Sequence, residues 1–232
     1  MSVAMAASVA SAPPGRFRGL LLRIVSAVVL GPLLLAAVWF GFPWIDVVAA
    51  IVAPLMIGEW LRLTRGRPVA RGLFILYSIA ALLALLWLRH QPGFGRETIL
   101  WLLACVWATD IGAYFIGSYA GGAKLAPSIS PSKTWSGLIG GICASAVVSA
   151  LCTLVFDAGD TVMLAVTGAA IAVVAQVGDL LESAAKRRAG VKDSGRIIPG
   201  HGGILDRIDG LIAALLLIAV IRLLTGGEWP WA

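Results

Sequence analysis

The chain has 232 residues, of which 59% are hydrophobic and only 13% charged, and its mean hydropathy is +0.94. A soluble domain carries about a quarter of its residues as charges, so these proportions exclude a chain surrounded by water and indicate a polytopic membrane protein. The net charge of +6 does not indicate nucleic-acid binding, because the basic residues lie mostly between apolar stretches, where orientation in a bilayer explains them.

Residues 1–19 are rich in Ala and Ser and contain Pro13-Pro14. No basic region precedes an apolar run there, as a signal peptide would require, so the segment reads as a disordered cytoplasmic tail. A membrane-spanning helix needs about 20 apolar residues, because the hydrocarbon core is roughly 30 Å thick and its backbone polar groups must pair internally. Seven such windows follow, at about 20–40, 45–62, 71–88, 98–118, 135–156, 161–181 and 204–224. The expected fold is all-α: a polytopic transmembrane helix bundle of about seven spans, forming one membrane-embedded catalytic domain over residues 20–232. Cys105, Cys143 and Cys152 lie within apolar windows without metal-ligand spacing and read as small buried hydrophobes.

With the N-terminus cytoplasmic, 15 of the 18 basic residues fall on the cytoplasmic side, while Arg89 and Arg96 fall outside and Arg222 lies near the end of the last span. Trp39, Trp44, Trp87, Trp229 and Trp231 then lie near the outer span ends, as an aromatic belt requires. The cytoplasmic connections at 119–134 and 182–203 are the longer ones, rich in Gly, Pro and Ser. Chemistry is therefore expected at the cytoplasmic face of the cell (inner) membrane.

Carboxylates inside spans need a reason, since a charge at the bilayer centre costs about 2.5–3.5 kcal/mol on insertion scales. Asp110 sits deep in the fourth window, Asp179 and Glu182 end the sixth, and Asp206 and Asp209 open the seventh. Asp179, Glu182, Ser183 and Lys186 fall at i, i+3, i+4 and i+7, on one helical stripe, and Asp206 and Asp209 likewise share a face. Two such stripes on adjacent helices make a carboxylate-lined pocket suited to Mg²⁺, which bridges carboxylates to substrate phosphates. Glu59, close to Arg62, reads as one half of a structural ion pair.

Between those helices lies a basic run containing Lys186, Arg187, Arg188, Lys192 and Arg196, then Pro199-Gly200-His201-Gly202-Gly203. The glycines allow close backbone approach to a ligand, and they lead into a helix start whose free N–H groups suit an anion. A second device is Ser130-Pro131-Ser132-Lys133-Thr134, where Ser130 is a candidate N-cap and Pro131 fits the first helical position. Together these parts describe phosphoryl or nucleotidyl transfer.

The unbroken stretch from Ser183 to Asp209 resembles the signature of the phosphatidate cytidylyltransferases, or CDP-diacylglycerol synthases. The segment Asp110 to Gly117, the Ser130 to Thr134 element and Gly178-Asp179-Leu180 support the resemblance, which covers the C-terminal part of the chain. It implies the reaction of CTP with phosphatidic acid to give CDP-diacylglycerol and pyrophosphate, dependent on Mg²⁺ and aided by a monovalent cation such as K⁺. By position it makes Asp206 and Asp179 metal ligands, with Ser183 and Asp209 in support. Lys133, Lys186, Arg187 and Lys192 become phosphate contacts, and Ser132, Asp110, His201, Gly202 and Gly203 complete the substrate-binding set. Where the family pattern places an acid after Lys-Thr-x, this chain has Ser136. The implied partners are CTP, phosphatidic acid and membrane lipids, with a homodimer through Gly137, Gly140 and Gly141 as a candidate assembly. Two other readings use similar parts: a CTP-dependent polyprenol kinase, which would move the γ-phosphoryl group, and a cation transporter.

Overall fold

The computed structural model describes residues 16–198, 202–226 and 230–231. Seven helices follow in order: α1 (Arg16–Phe40), α2 (Trp44–Leu63), α3 (Pro68–Arg89), α4 (Gly95–Ala120), α5 (Trp135–Phe156), α6 (Thr161–Arg188) and α7 (Leu205–Thr225). Each expected window corresponds to one helix. Six, α2 to α7, are long and apolar enough to cross a membrane, and α1 adds the apolar stretch Ile24–Phe40. The expected tail, residues 1–15 of it, lies outside the described residues.

Two boundaries move for electrostatic reasons. Helix α4 begins at Gly95 and carries Glu97 in its first turn, where a carboxylate meets the positive end of the helix dipole. Helix α6 continues to Arg188, with Lys186, Arg187 and Arg188 in its last turn, where cations meet the negative end.

The connection between α4 and α5 differs from expectation. Ser130 and Pro131 do not start a helix; residues Ser130–Thr134 form strand β2, paired antiparallel with β1 (Lys124–Ala126). The N-cap of α5 is Thr134, whose hydroxyl accepts from Gly137 N at 3.1 Å. A two-stranded ribbon is all edge, so a proline lacking an N–H is tolerated there, and the cap moves four residues on.

Small residues set the helix spacing. A Cβ on Gly112 would meet Gly140 O at 2.6 Å, and one on Gly141 would meet Thr109 O at 2.9 Å. Backbone therefore lies on backbone along the α4–α5 seam, the close approach that small residues permit in membranes. The glycine face expected to serve self-association is thus filled by α4 of the same chain. Across α5 and α6, Ser145 Oγ donates to Gly168 O at 2.7 Å and Ser149 Oγ to Leu164 O at 2.6 Å. Trp101 Nε1 in turn donates to Ser149 Oγ at 2.7 Å.

One end of the bundle is closed by an aromatic plug. Trp231 is 4% exposed, donates from Nε1 to Thr98 Oγ1 at 2.9 Å, and packs on Phe94, Trp101 and Phe156. It is a core residue and not part of an interfacial belt, whereas Trp39 and Trp44 are exposed as a belt requires. Trp229 lies outside the described residues. Cys105 and Cys152 are buried, while Cys143 faces outward from α5.

Candidate active site

The opposite end of the bundle gathers the polar residues. The stripe on α6 forms as its spacing requires: Glu182, Ser183 and Lys186 are all buried, and Ser183 Oγ donates to Asp179 Oδ1 at 3.1 Å. Helix α7 crosses α6 where side chains are smallest. A Cβ on Gly178 would stand 2.6 Å from Asp209 O and 2.8 Å from the Ala213 Cβ. Gly178 therefore lets the two helices touch one residue away from Asp179.

That crossing brings Asp179, Glu182 and Asp209 together, with one carboxylate oxygen from each within 4.8 Å of the others. Three hard oxygen donors in so small a volume fit a divalent cation such as Mg²⁺. A second feature agrees with this: Glu182 Oε1 is buried and makes no hydrogen bond to a described residue, a condition that a cation would relieve.

Cations surround the cluster. Lys133, at the end of β2, pairs with Asp179 and donates to Gln176 Oε1 at 2.8 Å. The residue expected at a helix start thus reaches the site from a strand. Lys186 pairs with Glu182 and with Asp206 Oδ1 at 2.6 Å. Arg187 Nε donates to Ile129 O at 3.1 Å and its Nη1 to Val191 O at 3.2 Å, fastening the β-ribbon to the loop after α6. Asp110 on α4 lies within electrostatic reach of Asp179, Lys133 and Arg207. Ser132 and Lys192 are exposed. His201 lies outside the described residues.

Asp206 and Asp209 share a face of α7 but have different surroundings. Asp209 joins the carboxylate cluster. Asp206 points into the preceding loop, where Oδ2 accepts from Gly203 N at 2.8 Å and Ser194 N at 2.9 Å and lies 3.0 Å from Ser194 Oγ, whose one proton it shares with Glu59. Gly202 (φ +86) is positioned so that a Cβ would lie 2.7 Å from Asp206 Oδ2, which makes glycine the residue that fits there.

Glu59 also departs from expectation. Among the described residues it has no cation within ion-pair distance; instead its buried carboxylate accepts from Ile204 N and Leu205 N, each at 2.9 Å, and from Ser194 Oγ at 2.7 Å. The N–H groups of Gly203, Ile204 and Leu205, among those expected to be free for an anion at the start of α7, are therefore already bonded to carboxylates of the chain. Sequence spacing could not reveal this contact, because Glu59 lies 145 residues from Ile204. Glu182 was visible as a stripe residue, and its place in the cluster follows from the tilt of α7 across Gly178.

Beside the carboxylates lies a crevice between α2, α3, α6 and α7. Trp60, Phe74 and Tyr77 form one wall, and Glu182 and Asp209 contribute to the other. Trp60 and Phe74 stack at 4.2 Å with planes 7° apart, and Trp60 Nε1 donates to Ser78 Oγ at 2.8 Å. The arrangement sets an apolar aromatic wall against a carboxylate and ammonium cluster at the end of a membrane bundle.

Residues 68–224 match the model of the cytidylyltransferase family. A protein of Brucella suis biovar 1 (strain 1330) named phosphatidate cytidylyltransferase is 48% identical over 166 residues, covering 72% of this chain and 60% of that one. A protein of the same name from Rickettsia bellii (strain RML369-C) is 36% identical over 210 residues, covering 88% and 90%. Another from Pseudomonas aeruginosa is 39% identical over 200 residues, covering 85% and 71%. The aligned region thus spans about three fifths of the Brucella relative and most of the Rickettsia one.

Proposed function

Because the chain belongs to the cytidylyltransferase family, we propose that it transfers the cytidylyl group of CTP to phosphatidic acid, giving CDP-diacylglycerol and pyrophosphate. The observation that carries this reading is the placement of Lys133 and Lys186 on the Asp179, Glu182 and Asp209 cluster. Ammonium groups interleaved with a carboxylate set form a site for polyphosphate.

In the reaction, an oxygen of the phosphatidate phosphate attacks the α-phosphorus of CTP. The new P–O bond forms as the bond to the β-phosphate oxygen breaks, and pyrophosphate departs with that electron pair. The phosphatidate phosphate is already ionised at neutral pH, so the chain need not supply a strong general base. Its contribution is positioning and charge neutralisation. Mg²⁺ held by Asp179, Glu182 and Asp209 supplies charge neutralisation on the phosphate oxygens when bound, with a monovalent cation such as K⁺ in support. Lys133 and Lys186 contact phosphates, Arg187 and Lys192 extend the cationic rim, and Ser183 orients Asp179. Asp206 fixes Lys186 and ties Ser194 to Gly203, and His201, Gly202 and Gly203 complete the substrate contacts. Ser132 and Asp110 border the nucleotide. The basic-residue asymmetry supports a cytoplasmic position for this face, in the cell (inner) membrane. Since α4 fills the α5 glycines, a homodimer would use another surface.

The test is direct. Purified protein is incubated with α-labelled CTP, Mg²⁺ and phosphatidic acid, and the lipid is extracted. Label in the lipid is expected. Transfer from γ-labelled CTP alone would replace this reading with a lipid kinase, and no transfer from either would remove both.

A further inference from the structure

Glu59 lies ahead of residue 68, where the family match begins, yet it closes on the centre of the site. Its carboxylate is fully buried and takes three donors from residues 194, 204 and 205. A charged acceptor on the first N–H groups of a helix is a strong cap, combining ion-assisted hydrogen bonds with the helix dipole. The loop is shaped to receive it: a Cβ on Gly195 would stand 2.5 Å from Glu59 Oε1, and so would one on Gly203.

The contacts continue beyond the cap. The Ser194 hydroxyl lies between two carboxylates, 2.7 Å from Glu59 Oε2 and 3.0 Å from Asp206 Oδ2. Asp206 Oδ1 accepts from Lys186 Nζ at 2.6 Å, and Lys186 pairs with Glu182 of the cluster. An unbroken polar chain therefore runs from α2 through the loop to the cation-binding carboxylates.

We propose that Glu59 is a positioning residue for the transfer reaction. From α2 it holds Ser194 and the start of α7 at Ile204 and Leu205, and through Ser194 and Asp206 it sets the position of Lys186. By filling the helix-start N–H groups, it also directs the substrate phosphates to the lysines and arginines. This inference rests on the cytidylyl-transfer reading for its consequence in kinetics, but not for its consequence in loop order.

The test uses the full chain in lipid nanodiscs, with amide hydrogen exchange and CTP kinetics measured on Glu59→Ala, Glu59→Gln and Ser194→Ala. In Glu59→Ala, exchange across residues 194–206 should rise by about tenfold or more while α4 and α5 are unchanged. Glu59→Gln keeps the shape but turns an amide N–H₂ toward a backbone donor, so it should fall between wild type and Ala. kcat/KM for CTP should fall in the same order, by about tenfold or more in the alanine variant. Should Glu59→Ala not insert, Ser194→Ala, which breaks the link without emptying the cap, must show the same local loosening. Unchanged exchange at 194–206 overturns the proposal, and so does an equal rise in α4 and α5, which would assign Glu59 to general stability. Loosening in the variants beside a wild type that labels no lipid would refute the transfer reading and leave the lock standing.

Discussion

Gly178→Ala tests whether the site depends on the α6–α7 crossing. The added Cβ would stand 2.6 Å from Asp209 O and 2.8 Å from the Ala213 Cβ, and neither atom is the end of a flexible side chain. Ordinary contact at about 3.5–4 Å requires the helices to part by roughly 1 Å. Asp179 follows Gly178 directly and Asp209 lies on the helix that must retreat, so the 4.8 Å carboxylate cluster widens. A misplacement of about 1 Å costs on the order of a hundredfold in rate, while overpacking costs about 1–3 kcal/mol of stability. The assay is cytidylyl transfer per folded molecule, read beside the thermal midpoint. Gly168→Ala is the control: its Cβ would meet the Ser149 Cβ at 2.5 Å, on the α5–α6 face away from the cluster. It should lose comparable stability and keep its turnover. If Gly178→Ala retains turnover within about twofold of wild type while folded, the crossing does not set the site geometry.

Three other outcomes follow from the same geometry. Lys133→Met should raise KM for CTP by about tenfold or more, since it removes a charged contact beside Asp179; steady-state kinetics at varied CTP decides it, and an unchanged KM would remove Lys133 from the phosphate contacts. Asp209→Asn should weaken divalent-ion binding by about tenfold or more, measured as Mn²⁺ binding by paramagnetic resonance without substrate; unaltered affinity would exclude Asp209 as a ligand. Trp231→Ala should cost about 3–5 kcal/mol of stability, because the ring packs on three aromatics and bonds to Thr98. Its turnover per folded molecule should hold, since the plug lies at the opposite end from the site, and a midpoint within about 1 °C of wild type would contradict this packing.

The helices were legible because a spanning segment must satisfy its own backbone over about 20 apolar residues. The α6 stripe was legible because the 3.6-residue period places Asp179, Glu182, Ser183 and Lys186 in a row. Local pattern failed where the backbone departs from the helix. Pro131 fits a helix start and a ribbon edge equally well, and only the pairing of Lys124 with Thr134 decides between them. Asp206 and Asp209 illustrate a second limit: helical spacing predicts a shared face but not that one carboxylate turns to the loop and the other to the cluster. Glu59 marks the third, since a carboxylate beside Arg62 looks like an ion pair until folding brings Ser194 and the start of α7 against it.

The α4–α5 seam is set by backbone alone. Where Gly112 faces Gly140 there is no side chain to trim and no rotamer to change, so a larger residue at either position would force the two helices apart. For the proposed transfer, the residues to exchange for a different nucleotide therefore lie elsewhere, along the ribbon and around the carboxylate cluster.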